Sequence, residues 1–202
     1  MDDIKEFYEL KAAEYSHEWY SNETMLPSIK EYLCLFSKEN PRILDLGCGP
    51  GHESMRLKNN RARVVGIDYS GESIKIAKSK NTEIQFLEMD YQQISDNLGR
   101  FDGVFSCSSM IHLTEIEMRG LLKRIDKVLN TDGLFLIIYR VGEGQLIQNH
   151  EINGQKLIRT IERYNRKQII EIFEKNNYQY QQDGFLDSSL INNWKSLIFK
   201  KR

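Results

Sequence analysis

The sequence lacks several features that mark common classes of protein. It has only three cysteines, without CxxC spacing, so neither a disulfide framework nor a zinc knuckle is indicated. Its 28 Lys and Arg residues nearly balance 29 Asp and Glu residues, which removes the broad basic surface of a general nucleic-acid binder. The longest apolar run, Leu134–Tyr139, is far shorter than the roughly 20 residues that cross a bilayer. We therefore expect no nucleic-acid or membrane partner.

What remains is the composition of an ordinary globular protein. The chain has 202 residues, of which 40% are hydrophobic and 28% are charged, and this length predicts a single domain over residues 1–202. Its acidic start, Met1-Asp2-Asp3, lacks the basic-then-apolar pattern of a secretory signal. We therefore expect a reduced, cytoplasmic protein.

Short strand-like runs alternate with helical spacing through the middle of the chain. The runs are Ile43–Leu46, Val64–Ile67, Ile84–Leu87, Phe101–Phe105 and Leu134–Tyr139. Several are apolar on both faces, as expected for strands inside a covered parallel sheet. The pattern predicts an α/β fold, three-layered and doubly wound, with right-handed crossovers and helices on both faces.

The two ends of the chain show other patterns. Residues 1–39 predict two amphipathic helices broken near Ser21, and 166–199 predict a helix followed by two strands joined by a polar loop. Strands joined in this way pair antiparallel, so one of them must oppose the rest of the sheet. A turn is predicted at Asn130–Gly133, whereas 140–165 show no clear pattern beyond an alternating piece near Leu157–Ile161.

A strand that runs into three glycines is the strongest local signal. Residues 43–51 read ILDLGCGPG, and glycines there permit positive φ and let a ligand approach the backbone. The loop follows the first strand, at the edge where open α/β sheets bind ligands. Its GxGxG spacing differs from the GxGxxG dinucleotide fingerprint, and Asp45 before the loop favours a cationic ligand over an anionic one.

Acidic residues end the next two strands as well. Asp68 ends the second strand, where a carboxylate can accept both hydroxyls of a ribose, and Asp90 follows the third. The fourth strand ends in Ser106–Ser109, small residues that can line a flat pocket. Each acid alone could instead be a helix cap or a turn residue. Three acids at one edge of the sheet nevertheless favour a ligand site.

This combination resembles the class I S-adenosylmethionine-dependent methyltransferases, and residues 44–51 match the LDLGCGxG signature of the small-molecule enzymes. The resemblance implies a Rossmann-like, mostly parallel seven-stranded sheet whose last strand is antiparallel. It implies a helical lid in 1–39, a cofactor-binding core in 40–140, and a substrate-side segment, helix and hairpin in 141–202. The implied reaction transfers a methyl group from S-adenosylmethionine to a nucleophilic atom of a small molecule and releases S-adenosylhomocysteine.

The resemblance also implies roles for individual residues. The implied cofactor contacts are Asp45, Gly47, Cys48, Gly49, Gly51, Asp68, Tyr69, Asp90, Tyr91, Ser106, Cys107 and Tyr15. Met110–Leu113 matches the family's apolar–His–Leu stretch, which makes His112 the first candidate for a general base. The implied acceptor contacts are Tyr8, Trp19, Tyr139 and Arg140. No metal is implied, because the charge on the sulfur already activates the leaving group.

Other interpretations stay open at this point. His112 could be a cap or a structural histidine, Tyr8 and Trp19 could be helix core, and Arg140 could pair with Glu143. The fold could also serve a non-catalytic cofactor-binding regulator or partner subunit. A nicotinamide-dependent oxidoreductase would share the glycine loop, although the spacing argues against it. The fourth strand is not followed by Asp/Asn-Pro-Pro-Tyr, which disfavours nucleic-acid and protein acceptors.

Overall fold

The computed structural model describes residues 3–186 and 193–202, as nine strands and six α-helices. The helices are α1 Asp3–Tyr20, α2 Leu26–Cys34, α3 His52–Asn59, α4 Gly71–Lys80, α5 Glu115–Val128 and α6 Arg166–Glu174. The strands are β1 Arg42–Leu46, β2 Arg63–Asp68, β3 Gln85–Glu88, β4 Phe101–Cys107, β5 Leu129–Arg140, β6 Gly144–Ile152, β7 Gln155–Arg163, β8 Tyr178–Asp183 and β9 Trp194–Lys201. Within the described residues, no helix has the length and apolar character needed to cross a membrane.

Seven of the strands form one sheet in the order β3-β2-β1-β4-β5-β9-β8. The pairs from β3 to β5 are parallel, whereas β9 is antiparallel to both β5 and β8. The predicted mostly parallel seven-stranded sheet with an antiparallel last strand is therefore confirmed. The chain leaves β1 toward β2 and leaves β4 toward β5, so the strand order reverses between β1 and β4. Open α/β sheets bind ligands at the carboxyl ends of the strands beside such a reversal.

Apolar side chains fill both faces of this sheet. On β5, Phe135, Ile137 and Tyr139 belong to the cluster packed under α5 and α6. Leu136 and Ile138 belong to the cluster packed under α2, α3 and α4. Successive side chains of a strand point to opposite faces, so a strand that is apolar at every position must be covered on both sides. The result is the expected arrangement of three layers.

Helix α2 belongs to the core. Ile29 and Tyr32 are fully buried, and the Tyr32 hydroxyl lies 3.0 Å from each of the carbonyl oxygens of Val104 and Leu134. A phenol at this place satisfies carbonyl groups of two central strands, which fixes α2 against the sheet. The hypothesis of a helical lid in residues 1–39 is therefore kept for α1 alone.

The residues predicted to form a turn, Asn130–Gly133, fall within the bounds of β5 but pair with no residue of β4. These residues lie inside β5, where Asp132 has a φ of +63° and the pairing with β4 shifts register between Phe101 and Gly103. The glycine and the acidic residue, which usually signal a turn, here form an irregularity within a strand. The polar loop predicted after Phe185 falls largely outside the described residues.

The segment that showed no clear pattern forms a hairpin of its own. Strands β6 and β7 pair antiparallel from Gly144 and Arg163 to Ile152 and Gln155, as a separate two-stranded sheet. Asn153-Gly154 joins them, with φ values of +53° and +80°. An Asn-Gly pair with positive φ at both residues is typical of a two-residue hairpin turn, so the sequence did carry a signal for this hairpin.

Candidate active site

A cavity of about 690 Å³ opens at the carboxyl ends of the parallel strands. The predicted residues that line it are Asp45, Gly47, Cys48, Gly49, Asp68, Tyr69, Asp90, Tyr91, Cys107, His112, Tyr8, Tyr15 and Trp19. Small-molecule sites range from about 300 to 1,000 Å³, so this cavity can hold a nucleoside-sized ligand together with a small second molecule.

The glycine loop is held by backbone hydrogen bonds to the neighbouring strand. The amides of Gly47 and Cys48 both donate to the carbonyl oxygen of Ile67, at 2.8 and 3.0 Å. Gly49 has a φ of +51°, and outside its neighbours no atom lies within 4 Å of the position that a Cβ would take. The cavity wall is therefore bare backbone at Gly49, which leaves room for a ligand.

Asp68 connects the glycine loop to the end of β2. One carboxylate oxygen accepts a hydrogen bond from the Gly49 amide at 2.8 Å, and the other accepts one from the Ser70 amide at 2.8 Å. Desolvation outweighs these bonds and raises the pKa of Asp68 to about 6. A carboxylate has about four acceptor positions, so Asp68 can also accept hydrogen bonds from a ligand in the cavity.

Asp90 both caps a short turn and lines the cavity. Its carboxylate accepts a hydrogen bond from the Gln92 amide at 2.7 Å, and its own amide donates to the Gln93 side chain at 3.0 Å. This is a capping box at a 3₁₀ turn, so the alternative of a helix cap is correct for this residue. Tyr69 and Tyr91 line the same part of the cavity.

Two further acids lie beneath the loop. Asp45 is 2% exposed, and the Ser54 hydroxyl donates to it at 2.5 Å. Glu53, in the first turn of α3, has one oxygen 3.2 Å from the Arg56 guanidinium, whereas its buried Oε2 has no hydrogen-bond partner among the described residues. Burial raises the pKa of Asp45 and of Glu53 to about 7. A cationic ligand would favour the ionised form of both carboxyl groups.

These acids predict that the ligand-free protein loses stability as the pH rises. The folded pKa values of Asp45, Glu53 and Asp68 exceed their ordinary values of 3.8 for Asp and 4.5 for Glu. At pH values between the ordinary and the folded pKa, the folded chain therefore binds more protons than the unfolded chain. The resulting stabilisation is complete below about pH 4 and is lost as the pH passes about 7. His52, whose pKa burial lowers to about 3, opposes the trend below about pH 6.5. We expect the free energy of unfolding to fall by about 2 kcal/mol from pH 6 to pH 8.

Urea unfolding at several pH values measures this dependence. Glu53→Gln should reduce the slope, because the amide does not titrate, whereas the exposed Glu83→Gln should leave it unchanged. An unchanged slope in Glu53→Gln would contradict the assignment.

Helix α1 presents aromatic side chains to the mouth of the cavity. Ile4, Tyr8, Tyr15 and Trp19 all line it, at spacings of four, seven and four residues. Such spacings place side chains on one face of a helix. The Trp19 indole also stacks on the His52 ring, with centroids 6.3 Å apart. One face of α1 therefore closes the cavity.

Both sides of the cavity hold α1 in place. Glu9 accepts hydrogen bonds from the amides of Gly71 and Glu72 at the start of α4, at 2.9 and 2.8 Å. A carboxylate at a helix N-terminus satisfies free amides and the helix dipole. On the other side, Asp3 accepts a hydrogen bond from the Ile158 amide of β7 at 3.0 Å.

His112 lies within a chain of hydrogen bonds. Its Nδ1 is 2.6 Å from the Thr160 carbonyl oxygen, which can only accept, so Nδ1 carries the proton. Nε2 of the neutral ring then accepts from the Tyr8 hydroxyl at 2.9 Å. The Tyr8 oxygen in turn accepts from Nη2 of Arg159 at 2.7 Å. His112 is thus oriented with its basic nitrogen directed toward Tyr8.

Two of the implied cofactor contacts lie outside the cavity. Gly51 begins α3, and a Cβ there would meet Ala77 and Phe86, so it faces the core. Ser106 is fully buried, with its hydroxyl 2.8 Å from that of Ser109. Both positions therefore support the loop from behind.

Both C-terminal acceptor contacts are also corrected. Tyr139 is 2% exposed in the core cluster on the α5 side, and Arg140 pairs with Trp194 at the end of β5, outside the cavity. These two residues were predicted to contact the acceptor only because they end a strand. Alternation along the strand instead turns the Tyr139 side chain into the core.

Several lining residues were not predicted, and three of them come from separate parts of the chain. Trp194 begins β9, Glu53 follows the glycine loop, and Arg159 comes from the hairpin. Arg159 had a recognisable signal, because Leu157, Arg159 and Ile161 alternate along β7 and hence share a face.

Comparisons with known proteins show which proteins this chain is similar to. Residues 43–133 match a family described as a methyltransferase domain. A putative methyltransferase (YqeM) of Bacillus subtilis strain 168 is 37% identical over 103 residues, which is 48% of this chain and 42% of that protein. A protein-lysine N-methyltransferase (EFM4) of Saccharomyces cerevisiae is 29% identical over 141 residues, 61% of this chain and 62% of that protein. The chain spans about half the length of the first curated relatives it matches.

A solved structure shares the fold described above. Magnesium protoporphyrin IX methyltransferase from Synechocystis PCC 6803, with bound S-adenosylmethionine, has a TM-score of 0.77 at 15% identity and covers 100% of this chain and 98% of that one. The sheet order, with the cavity at its carboxyl edge, defines a Rossmann-like fold, which this solved structure shares. In sequence over residues 43–133, and in fold, the chain is similar to class I S-adenosylmethionine-dependent methyltransferases.

Proposed function

We propose that the chain transfers a methyl group from S-adenosylmethionine to a small-molecule acceptor. The cavity carries this proposal: it joins bare backbone at Gly49 and the acids Asp45 and Asp68 to an aromatic roof from α1. Its volume of about 690 Å³ suits a cofactor and a small acceptor. The roof, attached on both sides, leaves little access for a folded macromolecule.

The residues present fit this cofactor. Asp68 has lone pairs for ribose hydroxyls. Tyr69, Asp90 and Tyr91 line the neighbouring wall, where they offer two aromatic rings and a carboxylate to an adenine. The buried Oε2 of Glu53, without a partner among the described residues, suits a ligand that carries positive charge. When bound, S-adenosylmethionine supplies a methyl group on a positively charged sulfur, and the C–S bond that breaks leaves its electron pair there.

The protein's own contribution is to orient the acceptor and exclude water. Helix α1 covers the cavity, and we propose that it acts as a lid. His112 is the candidate general base, because Nδ1 is bonded to Thr160 and Nε2 carries the basic lone pair. Tyr8 would have to release Nε2 before His112 could take a proton from an acceptor.

Calorimetric titration with S-adenosylmethionine, S-adenosylhomocysteine and NAD tests the proposal. We expect micromolar binding of both adenosyl ligands and no heat from NAD, because the site lacks the GxGxxG loop. Saturable NAD binding without adenosyl binding would make the site that of an oxidoreductase. Adenosyl binding with no methyl transfer to any acceptor would indicate a regulator or a partner subunit.

Protein lysine is the second candidate acceptor, favoured by the relative from Saccharomyces cerevisiae. Labelled S-adenosylmethionine added to a cell extract separates the two. Label in the low-molecular-mass fraction supports a small acceptor, and label in acid-precipitated protein supports the alternative.

A further inference from the structure

One lining residue differs in charge from all the others. Arg159 is the only Lys or Arg among the described residues that line the cavity. The charged groups that share the cavity are all acids, namely Asp45, Glu53, Asp68, Asp90 and Glu117. S-adenosylmethionine suits these acids, because its sulfonium and ammonium groups are cationic. The single guanidinium therefore points to a second kind of ligand chemistry.

Arg159 packs against aromatic rings. Its guanidinium lies over the rings of Phe7 and Tyr8, at 5.0 and 5.3 Å from their centroids, and Nη2 donates to the Tyr8 hydroxyl at 2.7 Å. No carboxylate within the described part of the chain forms an ion pair with it, and its buried Nε has no hydrogen-bond acceptor there. Part of its donor capacity is therefore unused.

The position of Arg159 separates it from the adenosine side of the cavity. Asp68 and Asp90 follow β2 and β3, on one side of the β1–β4 reversal. His112 follows β4 and is bonded to the Thr160 carbonyl of β7, so Arg159 and His112 lie on the other side, joined through Tyr8. A group bound by Arg159 would thus sit close to the candidate base.

We propose that Arg159 binds an oxyanion, a carboxylate or a phosphate, on a planar acceptor; this rests on the proposed function. A guanidinium offers a flat fork of N–H groups that matches such oxyanions. Beside it, the Tyr8 and Tyr15 rings, 6.0 Å apart at 36°, provide apolar walls for a flat molecule. The oxyanion would compete with the Tyr8 hydroxyl for Nη2 and so loosen the contact of Tyr8 with His112.

The test uses protein saturated with S-adenosylhomocysteine and two probes of equal shape. Ligand-detected NMR titration compares 4-hydroxybenzoate with the uncharged 4-hydroxybenzamide. We expect the benzoate to bind at least about tenfold more tightly, as a charge-assisted hydrogen bond implies. The same comparison with phenyl phosphate and benzyl alcohol distinguishes phosphate from carboxylate.

Variants on the same strand provide the control. Arg159→Gln should remove the preference for the benzoate while leaving the affinity for S-adenosylhomocysteine within about twofold. Arg163→Gln lies four residues along β7, outside the cavity, where its guanidinium donates to the Glu143 carbonyl, so it should keep the preference.

Other results would overturn the inference in distinguishable ways. If neither oxyanion probe binds the wild-type protein better than its neutral partner, the acceptor is not anionic, whatever the variants do. If Arg159→Gln instead weakens S-adenosylhomocysteine binding about tenfold or more, Arg159 holds the carboxylate of the cofactor. If the wild-type protein does not bind S-adenosylhomocysteine at all, the proposed function itself fails.

Discussion

Asp68→Ala is expected to weaken the binding of S-adenosylmethionine by at least about 100-fold. The carboxylate accepts hydrogen bonds from the amides of Gly49 and Ser70, so its loss frees the glycine loop from β2 as well as removing the acceptor for ribose hydroxyls. Hydrogen bonds to a charged group contribute about 1.5–3 kcal/mol each. Losing the bonds to the two ribose hydroxyls therefore corresponds to a loss of affinity of about two orders of magnitude or more. Calorimetric titration measures the change.

A matched acid on the surface controls for general effects. Asp183 pairs with Arg166 outside the cavity, so Asp183→Ala should leave the affinity unchanged. Thermal unfolding of both variants separates loss of binding from loss of fold. Affinity retained within about threefold in a folded Asp68→Ala protein would show that Asp68 does not contact the ligand.

The sheet could be predicted because its signals are local and redundant. Each of β1, β2 and β4 is apolar at consecutive positions, and only strands covered on both faces can be so. The antiparallel β9 followed from the short connection between two late strands. These features depend on patterns within a few residues and not on distant contacts.

The hairpin could not be predicted with the same ease, for a physical reason. Only one face of β6 and β7 packs on the protein, and polar residues such as Gln148 and Arg159 occupy part of that face, so alternation is weak. Polar residues at such positions make sense only once α1 is seen to lie opposite them. Arg159 becomes a lining residue through its contact with Tyr8, which is 151 positions away in the chain.

The acids and the loop could be placed from sequence, but their partners could not. The topology of the sheet places Asp68 at the end of a strand, on the edge where ligands bind. That it bonds to Gly49 depends on the local path of the loop. Tyr139 shows that position at the end of a strand does not by itself predict a site residue. Such a residue has an even chance of facing the core.

Gly47→Ala is expected to abolish ligand binding and to destabilise the fold by about 3 kcal/mol. Gly47 has a φ of +71°, which costs an L-residue about 1–2 kcal/mol. A Cβ there would clash with the Cβ of Ser109 and lie 3.0 Å from its hydroxyl oxygen. Overpacking of this kind costs about 1–3 kcal/mol. Ser109 donates to the Leu46 carbonyl at 2.6 Å, so it cannot move away without breaking a bond between β1 and the segment after β4.

Two other glycines provide the comparison. Gly49→Ala meets no clash, so it should weaken binding with a smaller loss of stability. Gly120 is exposed on α5, and no atom outside its own helix and neighbours lies within 4 Å of the place that a Cβ would occupy, so its Ala variant should be about 0.5–1 kcal/mol more stable and bind normally. Thermal unfolding and calorimetric titration of all three variants measure these effects. For a chain of this length, 3 kcal/mol corresponds to a fall of about 6–12 °C in Tm. A Gly47→Ala protein with unchanged Tm and affinity would mean that the loop adopts another backbone path than the one through which Gly47 approaches Ser109.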